Sequence, residues 1–412
     1  MQKNRITLPV TALTGAIALA GVASVTAGEY GKTVINDKMP IVDTSWCDVF
    51  KKNKLYEGDG FIRSVKFKGR YHGQWISQTE DTLAGGVETT NGYHEFQHRR
   101  FRLGTEIEMA NDLTFTAILN VSDGSGGTGS HGLTYGTFFD DWDEINIAWE
   151  PSDEFYVILG KSKQKITAEN KMSSNSILTI ERSAISNAVI SNKPWGVAVG
   201  FEALGLSHEV GGWIAGADRD FTGERYDWAD FDSRGSLTYR NSFDFTEDTE
   251  IQFGYQFTNN SDGAVNPRGS ADTSLGSAFE HVVSLGTVSE FGRLGLLTDV
   301  IYAANGLATG ALPAGFDTAG VVIMPYYNIT DDLQFVTRYA YMGEGREQRP
   351  QRYDARQSVE GYHTFYAGFN YYICKNNLKV MAGYEHATGD IYASANDTVD
   401  TGTWMLGIRS SW

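Results

Sequence analysis

The stretch VDTGTWMLGIRSSW, residues 399–412, alternates apolar residues with small or polar ones. The apolar side carries Trp404, Leu406, Ile408 and, after Ser410, Trp412. This period of two predicts a β-strand with one apolar face and one mostly polar face. A closed barrel in lipid would suit both faces, because acyl chains meet the apolar side and a wet lumen meets the polar side. Pairing of this strand with the first one would leave no open edge.

Fifteen further strand-like segments lie between Phe61 and this stretch, and many of them alternate in the same way. In residues 113–122, for example, every second residue from Leu113 to Val121 is apolar. The sixteen predicted strands are 62–78, 93–109, 113–122, 137–150, 154–163, 193–204, 206–216, 233–243, 250–259, 277–289, 293–304, 317–328, 333–341, 361–374, 378–387 and 401–412.

The connections between these segments alternate strictly in length. The short ones lie around 111–112, 151–153, 205, 246–249, 292, 330–332 and 375–377. The long ones are about 79–92, 123–136, 164–192, 217–232, 260–276, 305–316, 342–360 and 388–400. Short periplasmic turns and long outer loops are typical of outer-membrane barrels. The prediction is therefore an all-β, 16-stranded antiparallel transmembrane β-barrel with both chain ends on the periplasmic side. A soluble β-sandwich and a larger plugged transporter of about 22 strands fit this pattern less well.

The N-terminal region has the pattern of a secretory signal. Lys3 and Arg5 precede an apolar stretch, and Val25-Thr26-Ala27 provides small residues for cleavage. Pro9 and other interruptions favour this interpretation over a membrane anchor. We therefore expect a signal peptide at 1–27, a periplasmic segment at 28–60 with a short helix near 46–52, and the barrel at 61–412.

Cys47 and Cys374 are the only cysteines. Cys47 falls in the periplasmic segment, and Cys374 falls beside a short periplasmic turn, so a disulfide between them is topologically allowed. Two free thiols are the alternative, and the sequence does not choose between the two.

Composition and motifs exclude several classes of function. The net charge of −17 argues against a nucleic-acid partner, which requires basic patches. No later run of apolar residues is long enough for a transmembrane helix. Spacings typical of zinc proteases and of hydrolase nucleophile elbows do not occur, so we expect neither a metal nor a cofactor and no enzymatic activity. Ser130 and His131 are adjacent on an extended chain and are interpreted as part of a flexible loop.

The first two predicted strands place a basic strip on the lumen wall, because a charge on the lipid face costs about 2–4 kcal/mol near the middle of the membrane. The inward residues of the strip are Lys66, Lys68, Arg70, Arg100 and Arg102, with Glu106 among them. Such a strip would favour anions. Pairing of these cations with wall carboxylates, for a purely structural purpose, is the other interpretation, and both stay open.

Segment 164–192 is the longest connection, and long loops of this kind are usually functional. Folding into the lumen would let Ile177 and Leu178 pack on the wall. The charged residues Lys171, Glu181 and Arg182 would then narrow the path. A loop lying flat across the barrel mouth is the alternative.

Two stretches resemble a known family. The first is GYHEFQHRRFRLGTEIEMANDLTFTAILNVS (92–122), and the second is SSNSILTIERSAISNAVISNKPWGVAVGF (173–201). They are similar to the second and third strands and to the inner loop of the phosphate-selective porins, the outer-membrane porins of the O/P type. The resemblance implies a homotrimeric, sixteen-stranded channel in the Gram-negative outer membrane whose third outer loop folds into the lumen.

The expected function is passive diffusion of small hydrophilic solutes, with a preference for phosphate-like anions. Phosphate-specific members of the family have entries rich in lysine and arginine, whereas segment 218–232 of this chain is acidic. A general pore for polar solutes therefore fits equally well. Outer-membrane lipid and small polar or anionic solutes are the expected partners. An adhesin, or a scaffold or enzyme barrel without channel activity, is the rival interpretation.

Overall fold

The computed structural model describes residues 45–122, 141–189, 193–214, 235–259, 279–308, 311–346, 357–394 and 396–412. A 3-10 helix spans Ser45–Lys51. The strands are β1 (Lys54–Glu57), β2 (Ile62–Ala84), β3 (Val87–Met109), β4 (Leu113–Ser122), β5 (Asp141–Ser152), β6 (Phe155–Lys161), β7 (Trp195–Ala203), β8 (Leu206–Ile214), β9 (Gly235–Thr246), β10 (Thr249–Thr258), β11 (Phe279–Phe291), β12 (Leu294–Gly306), β13 (Phe316–Asn328), β14 (Leu333–Arg346), β15 (Ser358–Tyr372), β16 (Leu378–Ile391) and β17 (Thr398–Ser411). Two short helices, α1 (Ala168–Lys171) and α2 (Ala184–Val189), lie between β6 and β7.

Strands β2–β17 form one closed antiparallel ring. Each strand pairs with the next along the chain, and β17 pairs with β2 from Thr398↔Leu83 to Ser411↔Arg70. The short strand β1 adds to β2 outside this ring. The predicted 16-stranded barrel is confirmed, and each predicted strand corresponds to one member of the ring.

The C-terminal residue completes the seam between β17 and β2. The backbone of Trp412 exchanges two hydrogen bonds with Gly69, at 2.9 and 3.1 Å. A side chain at Gly69 would collide with the Trp412 ring, since its Cβ would lie 1.9 Å from a ring atom. Glycine at this position of β2 therefore allows the indole to cover the strand.

The two faces of β17 have opposite environments. Trp404 and Leu406 are 61% and 52% exposed, whereas their neighbours Met405 and Arg409 are each only 2% exposed. An apolar face directed outward and a buried face directed inward are what a barrel in lipid requires. The side-chain alternation of residues 399–412 thus has the predicted direction.

The short connections are tight turns, as predicted. Asn111 and Asp112 join β3 to β4 with φ angles of 61° and 60°. Positive φ at both central residues is the geometry of a type I′ hairpin turn, which asparagine and aspartate tolerate better than most residues.

The first outer connection differs from the prediction. Residues 79–92 were expected to form a long loop, but β2 and β3 continue through them to a turn at Gly85 and Gly86. Both glycines have positive φ, 59° and 78°. Thr79 to Ala84 pair with 87–92 in unbroken register, so this ribbon extends the barrel wall outward.

The periplasmic side carries a covalent link. Cys47, in the 3-10 helix, forms a disulfide with Cys374 beside the turn between β15 and β16, with their Cα atoms 5.5 Å apart. The helix lies where the sequence predicts a short helix near 46–52. The link fastens the segment before β1 to a turn near the other end of the chain.

Several predictions lie outside the described residues. These are the signal peptide at 1–27, most of the periplasmic segment, the Ser130–His131 pair and the acidic segment 218–232. No helix within the described parts of the chain has the length and apolarity needed to cross a lipid bilayer.

Candidate channel constriction

The connection between β6 and β7 lies inside the barrel, as predicted for one outer loop. We call residues 162–189 the inner loop. Its apolar side chains Ile166, Ile180 and Ile185 are 0–1% exposed, which a loop lying flat over the mouth would not give. The Thr167 hydroxyl caps α1 by accepting a hydrogen bond from the Asn170 backbone N–H at 3.0 Å.

The inner loop packs on one half of the lumen wall. We call the wall formed by β10–β17 the covered half. Apolar inward residues of these strands form one buried cluster with the inner loop. Its members include Ile166, Leu178, Ile185, Val189, Val282, Leu297, Ile301, Val322, Met324, Val336, Met342, Tyr362 and Val399. Each buried leucine- or isoleucine-sized side chain contributes about 1.5–3 kcal/mol, so the cluster is sufficient to hold the loop inside the barrel.

Backbone carbonyl groups of the inner loop are satisfied by side chains of the covered half. The segment 172–183 has no regular structure, so its carbonyl oxygens need partners from elsewhere. Lys379 donates to the carbonyl of Ile177 at 2.8 Å, Asn370 to that of Leu178 at 2.8 Å, Arg338 to that of Glu181 at 2.7 Å, and Arg409 to that of Ile180. Three cations that face the lumen are thereby used as anchors for the loop.

Arg338 also neutralises two buried carboxylates. Its guanidinium lies 3.1 Å from Glu169 on α1 and 2.6 Å from Glu385 on β16. Glu169 in turn accepts from the Ser183 backbone N–H at 3.0 Å. The Arg338 and Glu169 side chains are 1% and 2% exposed, so each charge depends on its partner.

The opposite part of the wall, which we call the open half, consists of β4–β6 and the lower parts of β2 and β3. Near the periplasmic end, Lys66 and Lys68 contact Glu106 at 3.1 and 2.9 Å, and Lys66 also contacts Glu108. These side chains are 22–43% exposed, so water reaches them. The charges of two lysines and two glutamates cancel here. This part of the strip therefore fits the interpretation that the cations pair with wall carboxylates for a structural purpose.

Further up the open half, two arginines face each other. Arg70 on β2 is the direct cross-strand partner of Arg102 on β3, and like charges so placed repel. Arg102 is 2.8 Å from Asp143, which also contacts Lys193 at 2.6 Å. Arg70 donates to the Ser174 hydroxyl of the inner loop at 2.6 Å. Arg70 therefore links this part of the wall directly to the inner loop.

A β-bulge adds another cation to this region. The register between β2 and β3 shifts at His72/Gly73, so that Arg99 and Arg100 both reach the lumen. Arg99 contacts Glu181 of the inner loop at 2.7 Å, whereas Arg100 lies 3.5 Å from His72. Strict alternation had placed only Arg100 inside, and Arg99 was therefore missed.

The Glu181 carboxylate of the inner loop contacts the Arg99 guanidinium and accepts a hydrogen bond from the Gln74 amide at 3.0 Å. Burial alone would raise the pKa of Glu181, but nearby Arg99 and Arg100 lower it below the usual range. The carboxylate stays ionised and joins the loop to the wall.

The other two loop residues in the prediction have different surroundings. Arg182 donates to the backbone carbonyls of Glu169 at 3.3 Å and Met172 at 2.7 Å, and it lies within electrostatic range of Arg99 and Arg102. Lys171 pairs with Glu250 at the foot of β10. The structure therefore groups Arg182 and Glu181 with the arginines, whereas Lys171 has its own carboxylate partner.

Lys163 is a second residue that the sequence reasoning missed. Burial, followed by the positive charges of Arg182 and Lys193, lowers the pKa of Lys163 well below its usual range. Its ammonium group donates to the Met172 carbonyl at 2.8 Å. The alternation of lysines in GKSKQK (160–165) was the available signal, since a period of two places Lys161, Lys163 and Lys165 on one side of the chain.

Within the described ranges, no group of three or more histidine, cysteine or acidic side chains is arranged to hold a metal ion. The charges of the site instead form ion pairs, contacts with backbone carbonyls and the facing arginines.

One protein-family model matches part of this chain. The phosphate-selective porin O and P family matches residues 66–227, which span β2 to β8 and include the inner loop. No curated protein sequence matches this chain at a significant level.

Solved structures share the fold at low sequence identity. The outer membrane channel DcaP of Acinetobacter baumannii has 11% identity and a TM-score of 0.56, covering 87% of this chain and 99% of that one. An anion-selective porin from Comamonas acidovorans has 12% identity and a TM-score of 0.52, covering 85% and 99%. OmpT of Vibrio cholerae, folded in vitro, has 12% identity and a TM-score of 0.51, covering 87% and 99%.

The closed barrel, the outward apolar face and the match over β2–β8 lead to the same conclusion. They confirm the predicted resemblance to the phosphate-selective porins, and the chain is a sixteen-stranded porin of the Gram-negative outer membrane.

Proposed function

We propose that this porin passes small hydrophilic solutes by passive diffusion and favours anions over cations. The observation that carries the preference is the cross-strand pair Arg70–Arg102, which faces the inner loop on the open half of the wall. Two facing cations lower the energy of an anion placed between them and raise that of a cation.

The surroundings of this pair keep a positive excess. We call the following residues the basic cluster: Arg70, Arg99, Arg100, Arg102, Arg182 and Lys193, with Asp143, Glu144 and Glu181. Contacts or electrostatic interactions link these side chains to one another. Six cations against three carboxylates leave a net positive charge near the path, although the chain as a whole is acidic.

The same residues limit how selective the channel is. Asp143 and Glu144 lie on the path side of β5, and Lys66 and Lys68 are neutralised by Glu106 and Glu108. We therefore propose a moderate preference for small polar anions rather than a site specific for phosphate.

The test is conductance in planar bilayers across a salt gradient. We expect wild-type protein to form open channels whose reversal potential indicates anion preference, and Arg70→Gln with Arg102→Gln to shift it toward cations. The matched control is Arg63→Gln, an exposed residue at the periplasmic start of β2 whose guanidinium donates to the Asp59 carbonyl. A reversal potential unchanged in the double variant would assign both arginines a structural role.

We propose that the barrel is a channel and not an enzyme or an adhesin. Its lumen charges serve as loop anchors and as wall ion pairs, which suits a fixed constriction. Purified protein that inserts into bilayers and gives no conductance would favour the adhesin or scaffold interpretation.

A homotrimer is part of the proposal. Strand β6 has only seven residues, fewer than the about 9–11 tilted residues that are needed to cross a membrane. Another subunit covering this low side would protect it from lipid. Native mass spectrometry in mild detergent tests this, and a monomer as the largest species would contradict it.

We also propose export with cleavage after Ala27, which leaves a periplasmic segment at 28–60 before the barrel. The charged start and the small residues at 25–27 support this proposal. The intact mass of protein isolated from the outer membrane tests it, because retention of residues 1–27 would be visible directly.

A further inference from the structure

The histidines of this barrel have an unusual distribution. Six of the seven described ones lie on outward faces of the strands, and only His72 faces the lumen. The outward ones are His94, His98, His208, His281, His363 and His386. A polar ring is unfavourable against acyl chains, so an outward histidine calls for a polar neighbour or a position at the edge of the membrane.

Three of them share one geometry with a tyrosine. The tyrosine hydroxyl lies 2.9–3.0 Å from the histidine Nδ1 in the pairs Tyr71–His98, Tyr255–His281 and Tyr339–His363. In each pair the tyrosine is on the strand that leaves the periplasm and the histidine is on the next strand, displaced outward from the tyrosine's direct partner. The sequence thus repeats one arrangement at three places around the ring.

A second aromatic ring holds each histidine. Ring centroids are 5.3 Å apart for Phe96–His98, 5.4 Å for Phe257–His281 and 5.0 Å for Tyr341–His363. Each imidazole is therefore fixed between two aromatic neighbours, with one edge bonded to tyrosine and the other directed away from it.

The tyrosine contact sets the hydrogen-bonding role of the free edge. When the phenol donates to Nδ1, a neutral imidazole carries its proton on Nε2. The Nε2–H is then a donor whether the ring is neutral or protonated. Glu280 lies 3.8 Å from Nε2 of His281, a carboxylate close to one of the three donors.

The three pairs share a height in the membrane. They lie 11 to 13 residues above the periplasmic turns at Asn111, Gly292 and Lys375. At about 2.5 Å of height per tilted residue this is roughly 27–33 Å, which is just beyond an apolar band of about 25 Å. His208, by contrast, pairs with Tyr239 at 3.0 Å but lies only three residues from the turn at Gly205.

We propose that these three Tyr–His pairs bind phosphate groups on the headgroups of outer-leaflet lipid. Phosphate oxygens are strong acceptors found at this height, and a fixed Nε2–H donor or a protonated imidazole suits them. Separate pairs on β2/β3, β10/β11 and β14/β15 would hold several lipids around the barrel. The sites are outside the lumen, so they are independent of the preference for anions inside it.

The test compares bis-phosphorylated lipid A with dephosphorylated lipid A by native mass spectrometry of purified barrel. We expect wild type to retain the phosphorylated form preferentially, and the triple variant H98Q/H281Q/H363Q to lose that preference by about tenfold, because each substitution removes a donor to a charged phosphate oxygen. H208Q is the matched control, because it removes the same pair at the inner boundary and should bind lipid A like wild type.

Equal preference in wild type and the triple variant would overturn the proposal, as would loss of preference in H208Q alone. Heat-modifiable migration in electrophoresis shows whether the triple variant forms a closed barrel. If it does not, Y71F/Y255F/Y339F serves instead, and it should lower the preference because the imidazoles lose their orientation. Displacement of lipid A by inorganic phosphate at millimolar concentration would indicate a free-anion site and contradict the assignment to lipid.

Discussion

The two halves of the lumen wall face the same loop with different chemistry. The covered half presents valine, leucine, isoleucine and methionine, and its few charged residues are almost completely buried. The open half presents lysine, arginine and carboxylates that water reaches in part. In both halves, every second side chain points into the barrel. The halves differ in what those inward side chains contact: the inner loop in the covered half, and the water-filled part of the lumen in the open half.

This contrast explains how one barrel combines a rigid constriction with a polar channel. A buried charge without a partner costs several kcal/mol, so Arg338 and Glu169 are stable only as a set. A partly exposed pair such as Lys68–Glu106 contributes about 0–1 kcal/mol and can rearrange when an ion passes. The covered half therefore provides stability, and the open half provides conductance.

The largest effect is expected from Arg338→Met. The change leaves Glu169 and Glu385 buried without their counter-charge, so we expect the inner loop to lose about 3–5 kcal/mol of anchoring. Single-channel conductance should rise, and a protease should cut within 162–189. The exposed Arg293, 3.9 Å from Asp331, gives the control Arg293→Met. Wild-type conductance together with a protected loop would contradict the anchoring role.

A smaller effect is expected from Ile185→Ala in α2. This side chain is 0% exposed within the apolar cluster, and its truncation should cost about 2–4 kcal/mol. Thermal unfolding in detergent, followed by circular dichroism, measures the loss. Leu204 is 97% exposed in a turn, so Leu204→Ala is the control, and equal shifts for both variants would show that the covered half is not a packed core.

Glu181→Gln tests the boundary between the halves. Removing this carboxylate frees the Arg99 charge, so we expect the anion-to-cation permeability ratio to rise roughly twofold. Because the pKa of Glu181 is lowered in the folded protein, the carboxylate contribution is present above the usual carboxyl range and is lost as the pH falls through the folded value. The difference between variant and wild type should therefore be constant from pH 8 to pH 5. A difference that disappears near pH 6 would show that Glu181 is not held ionised by the arginines.

The smallest effect is expected from Lys68→Gln on the open half. Its partner Glu106 keeps a second contact with Lys66, so the free energy of unfolding should change by no more than about 1 kcal/mol. Chemical denaturation measures this change. A loss comparable to that of Arg338→Met would mean that the two halves do not differ in the way described.

The architecture could be predicted from the sequence because its signals are local. Side-chain alternation marks many of the strands, and turn residues such as Asn111-Asp112 mark the hairpins. The prediction missed the extension of β2 and β3 through 79–92, because polar residues of the ribbon resemble a loop. Only the pairing of Thr79–Ala84 across the hairpin distinguishes them from one.

The site was predictable only in part, because its geometry depends on distant contacts. Arg70 and Arg102 follow from alternation, whereas Arg99 reaches the lumen through a one-residue bulge that period two does not reveal. Arg338 and Arg409 have inward phases like the channel arginines, and only their contacts with the inner loop show that they are anchors. The positions of charged residues in the sequence predict which side chains face the lumen, but not which groups those side chains contact.

The anchoring of the inner loop has a consequence for how such channels diversify. The backbone carbonyl oxygens within residues 177–180 accept hydrogen bonds from the side chains of Lys379, Asn370 and Arg409. Every amino acid has this carbonyl oxygen, so these bonds do not depend on the side chains of the loop. Because the main chain carries these bonds, substitutions at more exposed neighbours such as Ser173 and Asn175 can change the surface that solutes meet without removing the anchors. The solute preference of the channel can therefore change during evolution while the inner loop keeps its position in the barrel.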